Sequence, residues 1–154
     1  MKSMCIVIGS PRRNGNTVFL SNRLLDLLDG NVASDTAFLY DRDIRPCTDC
    51  RACKRGDRVC AVNDDMQEMY ARLEESDILV IGTPIYWYAP TAQTKLFIDR
   101  LRPYYANKKL VGKRAALLLP AGSGRTDCDL TEDMFRRIFA ALGIEYLGAA
   151  AAKA

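Results

Sequence analysis

Short unbroken apolar runs alternate along this chain with segments of helical periodicity. "MCIVIG" (4 to 9) predicts a buried strand, closed by a Gly-Ser-Pro turn. Thr17 to Asp29 predicts a helix with Leu20, Leu24, Leu27 and Leu28 on one face, and Asn16 or Thr17 as its N-cap. "SDTAFLY" (34 to 40) is a weaker strand. Asp64 or Asp65 then caps a helix whose Met66, Met69, Tyr70 and Leu73 fall at helical spacing. "DILVIGT" (77 to 83) is the clearest buried strand, "TAQTKLFIDRL" (91 to 101) a helix and "RAALLLP" (114 to 120) a strand. Thr131 to Leu142 predicts a helix, and "GIEYLGAAA" (143 to 151) closes as a fifth strand.

Strands that are apolar throughout, alternating with helices, call for a parallel sheet covered on both faces. The expectation is an α/β, flavodoxin-like, doubly wound sheet of five strands. It spans residues 1–154 as a single domain with a cysteine-rich insertion at about 41–63. Such a fold usually ends with a helix after strand five; here the chain stops, so either the chain is truncated or one sheet face is partly bare. Ligands of doubly wound sheets bind outside the carboxyl ends of the strands. The loops to inspect are therefore 10–16, 41–63, 84–90 and 121–130.

Composition narrows the chemistry. The net charge of +3 does not suggest nucleic acid, and no apolar run approaches the ~18 residues of a membrane span. The N-terminus enters a strand directly and lacks a signal-peptide core, which points to the cytoplasm. There, clustered cysteines more often serve metal or redox chemistry than disulfides. The chain has no histidine, which removes the commonest general base.

In "GSPRRNGNT", Ser10, Asn14, Asn16 and Thr17 can donate to phosphate oxygens, Arg12 or Arg13 supplies charge, and the following helix aims its free N–H groups at the same place. Neither the dinucleotide nor the P-loop fingerprint is present. "TPIYWYAPT" places Tyr86, Trp87 and Tyr88 after the clearest strand, offering flat apolar surface for a planar ring, or alternatively for subunit packing. "AGSGRTD" is glycine-rich and can approach such a ring closely. A phosphate loop beside an aromatic loop suits a planar cofactor bearing one phosphate.

Between these loops lies "PCTDCRACKRGDRVC", with Cys47, Cys50, Cys53 and Cys60. Three cysteines at successive third positions can converge on one side of a tight loop, and the fourth can close the site. A 4Fe–4S cluster needs that convergence. Zinc and reduced or disulfide-forming cysteines are the alternatives. Arg42, Arg45, Arg51, Lys54, Arg55 and Arg58 are available to offset the negative charge of a cluster. Cys5 reads as a buried hydrophobe, and Cys128 as a loop residue near the ring edge with no assigned role.

"GSPRRNGNT" followed by "TPIYWYAPTAQTKLFIDR" resembles the NADPH-dependent FMN reductases, a flavodoxin-like family, and the cysteine run between them resembles its iron–sulfur flavoprotein branch. The resemblance covers nearly the whole chain. It implies that Ser10, Arg12, Asn14, Asn16 and Thr17 hold the FMN phosphate. It further implies that Pro84, Ile85, Tyr86 and Trp87, with Gly122 nearby, cradle the isoalloxazine, and that Cys47, Cys50, Cys53 and Cys60 carry the cluster. The implied function is electron transfer between a 4Fe–4S cluster, FMN and a small-molecule acceptor. The donor would be of ferredoxin type or NAD(P)H. The rival readings are an NAD(P)H-dependent FMN or quinone reductase whose cysteines bind zinc or nothing, and a non-enzymatic thiol or metal redox sensor.

Two expectations concern partners. Helix 91–101 carries Ala92, Leu96, Phe97, Ile98 and Leu101, an apolar arc wide enough to suggest a homodimer or higher homo-oligomer. Between Lys95 and Arg114 seven bases (Lys95, Arg100, Arg102, Lys108, Lys109, Lys113, Arg114) face a single acid, Asp99. They form a basic surface that could steer an acidic ferredoxin.

Overall fold

The computed structural model describes residues 1–153. Its central sheet is built from β1 (Lys2–Ile8), β2 (Val32–Phe38), β3 (Ile78–Gly82), β6 (Arg114–Ala121) and β7 (Glu145–Lys153). These strands lie in the order β2-β1-β3-β6-β7 and are parallel throughout. That is the flavodoxin-like order, whose direction of winding reverses between β1 and β3. A small antiparallel hairpin, β4 (Ile85–Tyr86) and β5 (Ala89–Pro90), stands at the end of β3.

Residue alternation along the strands sorts the apolar side chains onto two faces. Met4, Ile6 and Ile8 of β1 join Val80 and Leu118 under α1 (Asn16–Leu28). Cys5 and Val7 join Leu79, Ile81, Leu117 and Leu119 on the opposite face. That second layer is roofed by α2 (Met66–Glu75), α3 (Ala92–Asp99), α4 (Pro103–Asn107) and α5 (Arg125–Leu142). Phe97, Phe135 and Phe139 are fully buried there. At the β7 edge, Tyr146, Ala149 and Ala151 pack toward α5, while Leu147 and Ala150 are exposed.

The differences from the sequence expectations are local. The α1 helix starts after Gly15 rather than at Thr17, and Leu27 is 69% exposed. Val18 and Leu25 pack on the sheet together with the expected Leu20, Leu24 and Leu28. The α5 helix begins at Arg125, six residues before the expected start. Its first turn is polar and carries no apolar period to read. Cys128 is consequently a helical residue and not a loop residue. It is fully buried, with its thiol 3.3 Å from the Leu119 carbonyl, and burial raises its pKa. Cys5 is buried as expected, and burial pushes its thiol up to about 11. Phe97, Ile98 and Leu101 are buried within the chain's own core and Leu96 packs against it, which leaves Ala92 as the exposed residue of the expected arc.

Candidate functional site: two cavities at opposite ends of α3

The first cavity lies at the carboxyl ends of β1, β3 and β6. It has a volume of about 170 Å³ and is lined by Ser10, Arg12, Gly15, Asn16, Thr17, Pro84, Ile85, Tyr86, Pro120, Ala121 and Gly122. Eight of the ten residues singled out in the three loops meet here. Asn14 and Trp87 do not; Asn14 is exposed on the phosphate loop. Arg13 is also elsewhere, paired with Asp41 and stacked 3.7 Å over Phe38, so Arg12 alone of the two arginines faces the cavity.

The floor is set by close packing. No side chain caps α1, whose N-cap is Gly15, so the amides of its first turn remain available to an anion. Thr17 is buried, and a Cβ at Gly82 would lie 2.7 Å from its methyl carbon, so α1 sits directly on β3. Gly9 is tighter still: a Cβ there would lie 1.8 Å from Thr94 Oγ1. Three buried threonines occupy that spot. Thr91 Oγ1 donates to the Gly9 carbonyl at 2.7 Å, and Thr94 Oγ1 donates to Thr83 Oγ1 at 3.1 Å. Thr83 Oγ1 in turn donates to the Pro84 carbonyl at 3.0 Å. Each hydroxyl proton has one acceptor, and the network ties the aromatic loop to the phosphate loop through the N-terminus of α3. Sequence reasoning passed over these threonines because they read as helix and strand ends.

Trp87 and Tyr88 form the two-residue tip of the β4–β5 hairpin, with φ of 52° and 63°. Positive φ at both positions is the geometry that hairpin tips favour and that bulky side chains resist. Trp87 is 93% exposed, standing clear of the cavity beside a second hollow shared with Ser123 and Asp127.

The second cavity, about 20 Å³, lies at the other end of α3. Cys47, Cys50, Cys53 and Cys60 all line it, together with Asp99, Arg100, Arg102 and Pro103. Left-handed residues Asp49 (φ 51°), Arg51 (φ 60°) and Arg58 (φ 56°) turn the chain around the cysteines, and a 3-10 turn covers Ala52–Lys54. The segment is fastened to α4, where Arg58 donates to the Ala106 carbonyl and Asn107 to the Arg58 carbonyl. Among the described residues no three Cys, Asp or Glu side chains come together tightly enough to hold one metal ion.

The positive charge at this cavity differs from the one expected. Arg42 is committed to Glu68, while Arg45 bonds the Asn63 carbonyl and Arg58 the Ala106 carbonyl. Of the six expected bases Arg51 lines the wall, and Arg100 and Arg102, from the end of α3, join it there. Arg100 is 1% exposed and chelates Asp64, with Nη1 at 2.6 Å and Nη2 at 3.1 Å from its two carboxylate oxygens. It also donates to the Arg45 and Val62 carbonyls. Burial opposes its charge, but Asp64 and then Cys60 hold its pKa above the ordinary value. Burial and the charge of Cys60 both raise the pKa of Tyr70, whose hydroxyl donates to the Arg100 carbonyl. Arg102 reaches Asp49 at 2.8 Å and lies 3.6 Å from Cys47 Sγ. Asp64, read from sequence as a cap, is thus the buried counter-ion of Arg100 while also accepting from the amides of Arg45 and Met66.

The family model for NADPH-dependent FMN reductases matches residues 1–153. The chain belongs to that family. Within it, the chain falls with the iron–sulfur flavoproteins. It is 34% identical over 124 residues to one from Archaeoglobus fulgidus, covering 79% of this chain and 56% of that protein. It is 35% identical over 121 residues to another from Methanocaldococcus jannaschii, covering 77% and 61%. The chain spans about half to three-fifths of the length of these relatives. Among solved structures, the Trp repressor binding protein of Bacillus subtilis superposes with a TM-score of 0.70 at 22% identity, over 96% of this chain and 81% of that one. An NADH:FMN oxidoreductase solved in its apo form superposes with a TM-score of 0.67 at 26% identity, over 97% and 75%. No described helix is long and apolar enough to cross a membrane.

Proposed function

We propose that this chain is an FMN-dependent oxidoreductase that passes electrons between a 4Fe–4S cluster, FMN and a small-molecule acceptor. The observation that carries the reading is the pair of cavities: an anion-ready cleft at the sheet's switch point, and four cysteines lining one separate hollow. The FMN phosphate would lie on the amides of the first α1 turn beside Ser10, Arg12 and Asn16, and the ring against Pro84, Ile85, Tyr86 and Gly122. FMN, when bound, supplies the redox chemistry. The protein binds and orients it, and the hydroxyl network of Thr83, Thr91 and Thr94 holds the phosphate loop and aromatic loop in one register.

The donor set of the second cavity fits a cluster better than a single ion. Zinc draws its thiolates to within ~2.3 Å of one point, whereas a cubane takes one thiolate at each of four corners. Four cysteines lining one cavity supply the number of thiolates that a cluster takes, and Arg100 and Arg102 on the same wall would offset its negative charge. The wall also holds a buried donor without an acceptor, Arg100 Nε, which a cluster or its thiolates would satisfy. The cytoplasm suits cysteines kept reduced for this purpose.

A one-electron carrier of ferredoxin type serves such a cluster, and NAD(P)H is the second reading because the family is named for NADPH. The basic surface offered as a steering device is weaker than the sequence suggests. Five of its seven bases are engaged within the chain: Lys95 with Asp99, Arg100 with Asp64, Arg102 with Asp49, Lys109 with Glu74, and Lys113 with the Glu74 and Ser76 carbonyls. A homodimer or larger assembly would rest on the exposed Trp87 and Tyr88 tip, not on α3.

Anaerobic reduction of the reconstituted chain tests the reading. A low-potential one-electron donor is expected to bleach the cluster's absorbance and then the flavin bands, with NADPH acting much more slowly. Rapid bleaching of flavin bands alone by NADPH would replace this reading with the simple reductase.

A further inference from the structure

Resting on the proposed cluster, we infer that Arg100 and Arg102 form a two-sided guanidinium clamp on Cys60 and Cys47 that sets the reduction potential of the centre the cysteines hold. The cavity is electrostatically lopsided. Arg102 lies 3.6 Å from Cys47 Sγ. Arg100 and Cys60 line the wall of the same cavity. Cys50, in contrast, is exposed. Cys47 therefore meets positive charge at close range, Cys60 shares its wall with Arg100, and Cys50 meets solvent.

The independent observation is an orphaned donor. Four of the five N–H groups of the Arg100 guanidinium are accounted for by contacts to Asp64, Arg45 and Val62. Its Nε–H is buried with no acceptor, in a side chain that is 1% exposed and lines the cysteine cavity. A buried unsatisfied donor costs about 1–3 kcal/mol, and more when charged, so such groups call for an explanation. A thiolate or cluster sulfide is the acceptor that the cavity's own chemistry offers. Asp64 fixes the guanidinium in a bidentate fork, so the donor's direction does not depend on the ligand.

The consequence follows from charge. One-electron reduction adds a negative charge to the cluster without a proton, and hydrogen bonds and positive charge at the sulfurs lower the cost of that step. Arg100 and Arg102 are positioning residues in this sense: they favour the reduced state and leave Cys50 as the open edge for a partner.

The test uses the full chain, reconstituted anaerobically with iron and sulfide and titrated with dithionite against redox mediators, read by electron paramagnetic resonance. Arg102→Gln removes an exposed charge and leaves the fold's core intact. Arg100→Lys keeps the charge against Asp64 but deletes the Nε donor. Each is expected to lower the reduced-to-oxidised ratio at fixed potential about tenfold, which is ~59 mV for one electron. If Arg100→Lys does not fold, Arg102→Gln decides alone. An iron-loaded Arg102→Gln protein with the parent's ratio overturns the clamp while leaving the proposed function standing. A parent chain that takes up no iron overturns both.

Discussion

The two ends of α3 show two ways of fixing a site. At its N-terminal end, Thr83, Thr91 and Thr94 share neutral hydrogen bonds with a backbone so close that Gly9 has no room for a methyl group. At its C-terminal end, Arg100 and Asp64 form a buried ion pair that also gathers the carbonyls of Arg45 and Val62. The first end relies on shape, and tolerates no added volume. The second relies on charge, and tolerates no lost partner. The difference suits the proposed ligands: a flavin is held by an existing cleft, whereas a cluster is held by a long irregular segment that something must fasten.

The largest effect is expected where the ion pair is broken. Arg100→Ala leaves Asp64 buried and unpaired, which costs about 3–5 kcal/mol. Urea melts should show that loss, and iron uptake should fail while FMN still binds to the fraction that folds. If FMN and iron binding vanish in parallel with unchanged stability, the two ends are not independent.

Arg12→Ala acts on the other cavity. A charge-assisted bond to phosphate contributes about 1.5–3 kcal/mol, so FMN affinity measured by fluorescence quenching should fall roughly 10- to 150-fold with iron content unchanged. Riboflavin, which lacks the phosphate, should bind parent and variant alike.

Gly9→Ala probes shape directly. The added methyl group overlaps Thr94 Oγ1, and overpacking of this kind costs about 1–3 kcal/mol. Thr94→Ala in the same chain removes the overlapping oxygen, so the double variant should be more stable than the sum of the single ones. Strict additivity in thermal melts would mean that the two residues are not in contact.

How much of this was legible beforehand depends on what each feature uses. The sheet order and the loops that line the first cavity were readable because apolar strands and strand-to-helix turns leave local patterns. The start of α5 was not, since "RTDCDL" has no apolar period. The bases beside the cysteines were assigned by proximity in sequence, but Arg100 and Arg102 arrive from roughly forty residues away, through the packing of α3 on α2 and α4. Trp87 was placed against a ring because it neighbours Tyr86; a two-residue hairpin turns it outward.

Acid sharpens the charge-built end. Although burial alone would raise it, bonds from Arg100 and from the amides of Arg45 and Met66 hold the Asp64 pKa below the usual carboxylate value. A depressed folded pKa means that its stabilisation is complete above the ordinary value near ~3.9 and is lost as pH falls through the folded one. Thermal melts between pH 6 and 2 should lose stability more steeply in the parent than in Asp64→Asn. Parallel curves would remove Asp64 from the acid response.

Salt should do least. With most of the basic stretch engaged internally, reduction by an acidic one-electron carrier should slow only modestly between 0.1 and 1 M salt, where screening lengths fall from ~10 to ~3 Å. A steep loss would point to a steering surface elsewhere, and Lys108→Glu would locate it.

The central claim, that one chain holds a flavin and a four-iron cluster in separate cavities, is tested most directly by chemical analysis of the anaerobically reconstituted protein. Iron, acid-labile sulfide, zinc and FMN should be counted per chain beside an absorbance spectrum. The account predicts one FMN, four irons and four sulfides, with the iron and sulfide lost but FMN retained in Cys60→Ser. One zinc and no sulfide, or iron that survives removal of the cysteines, would contradict it.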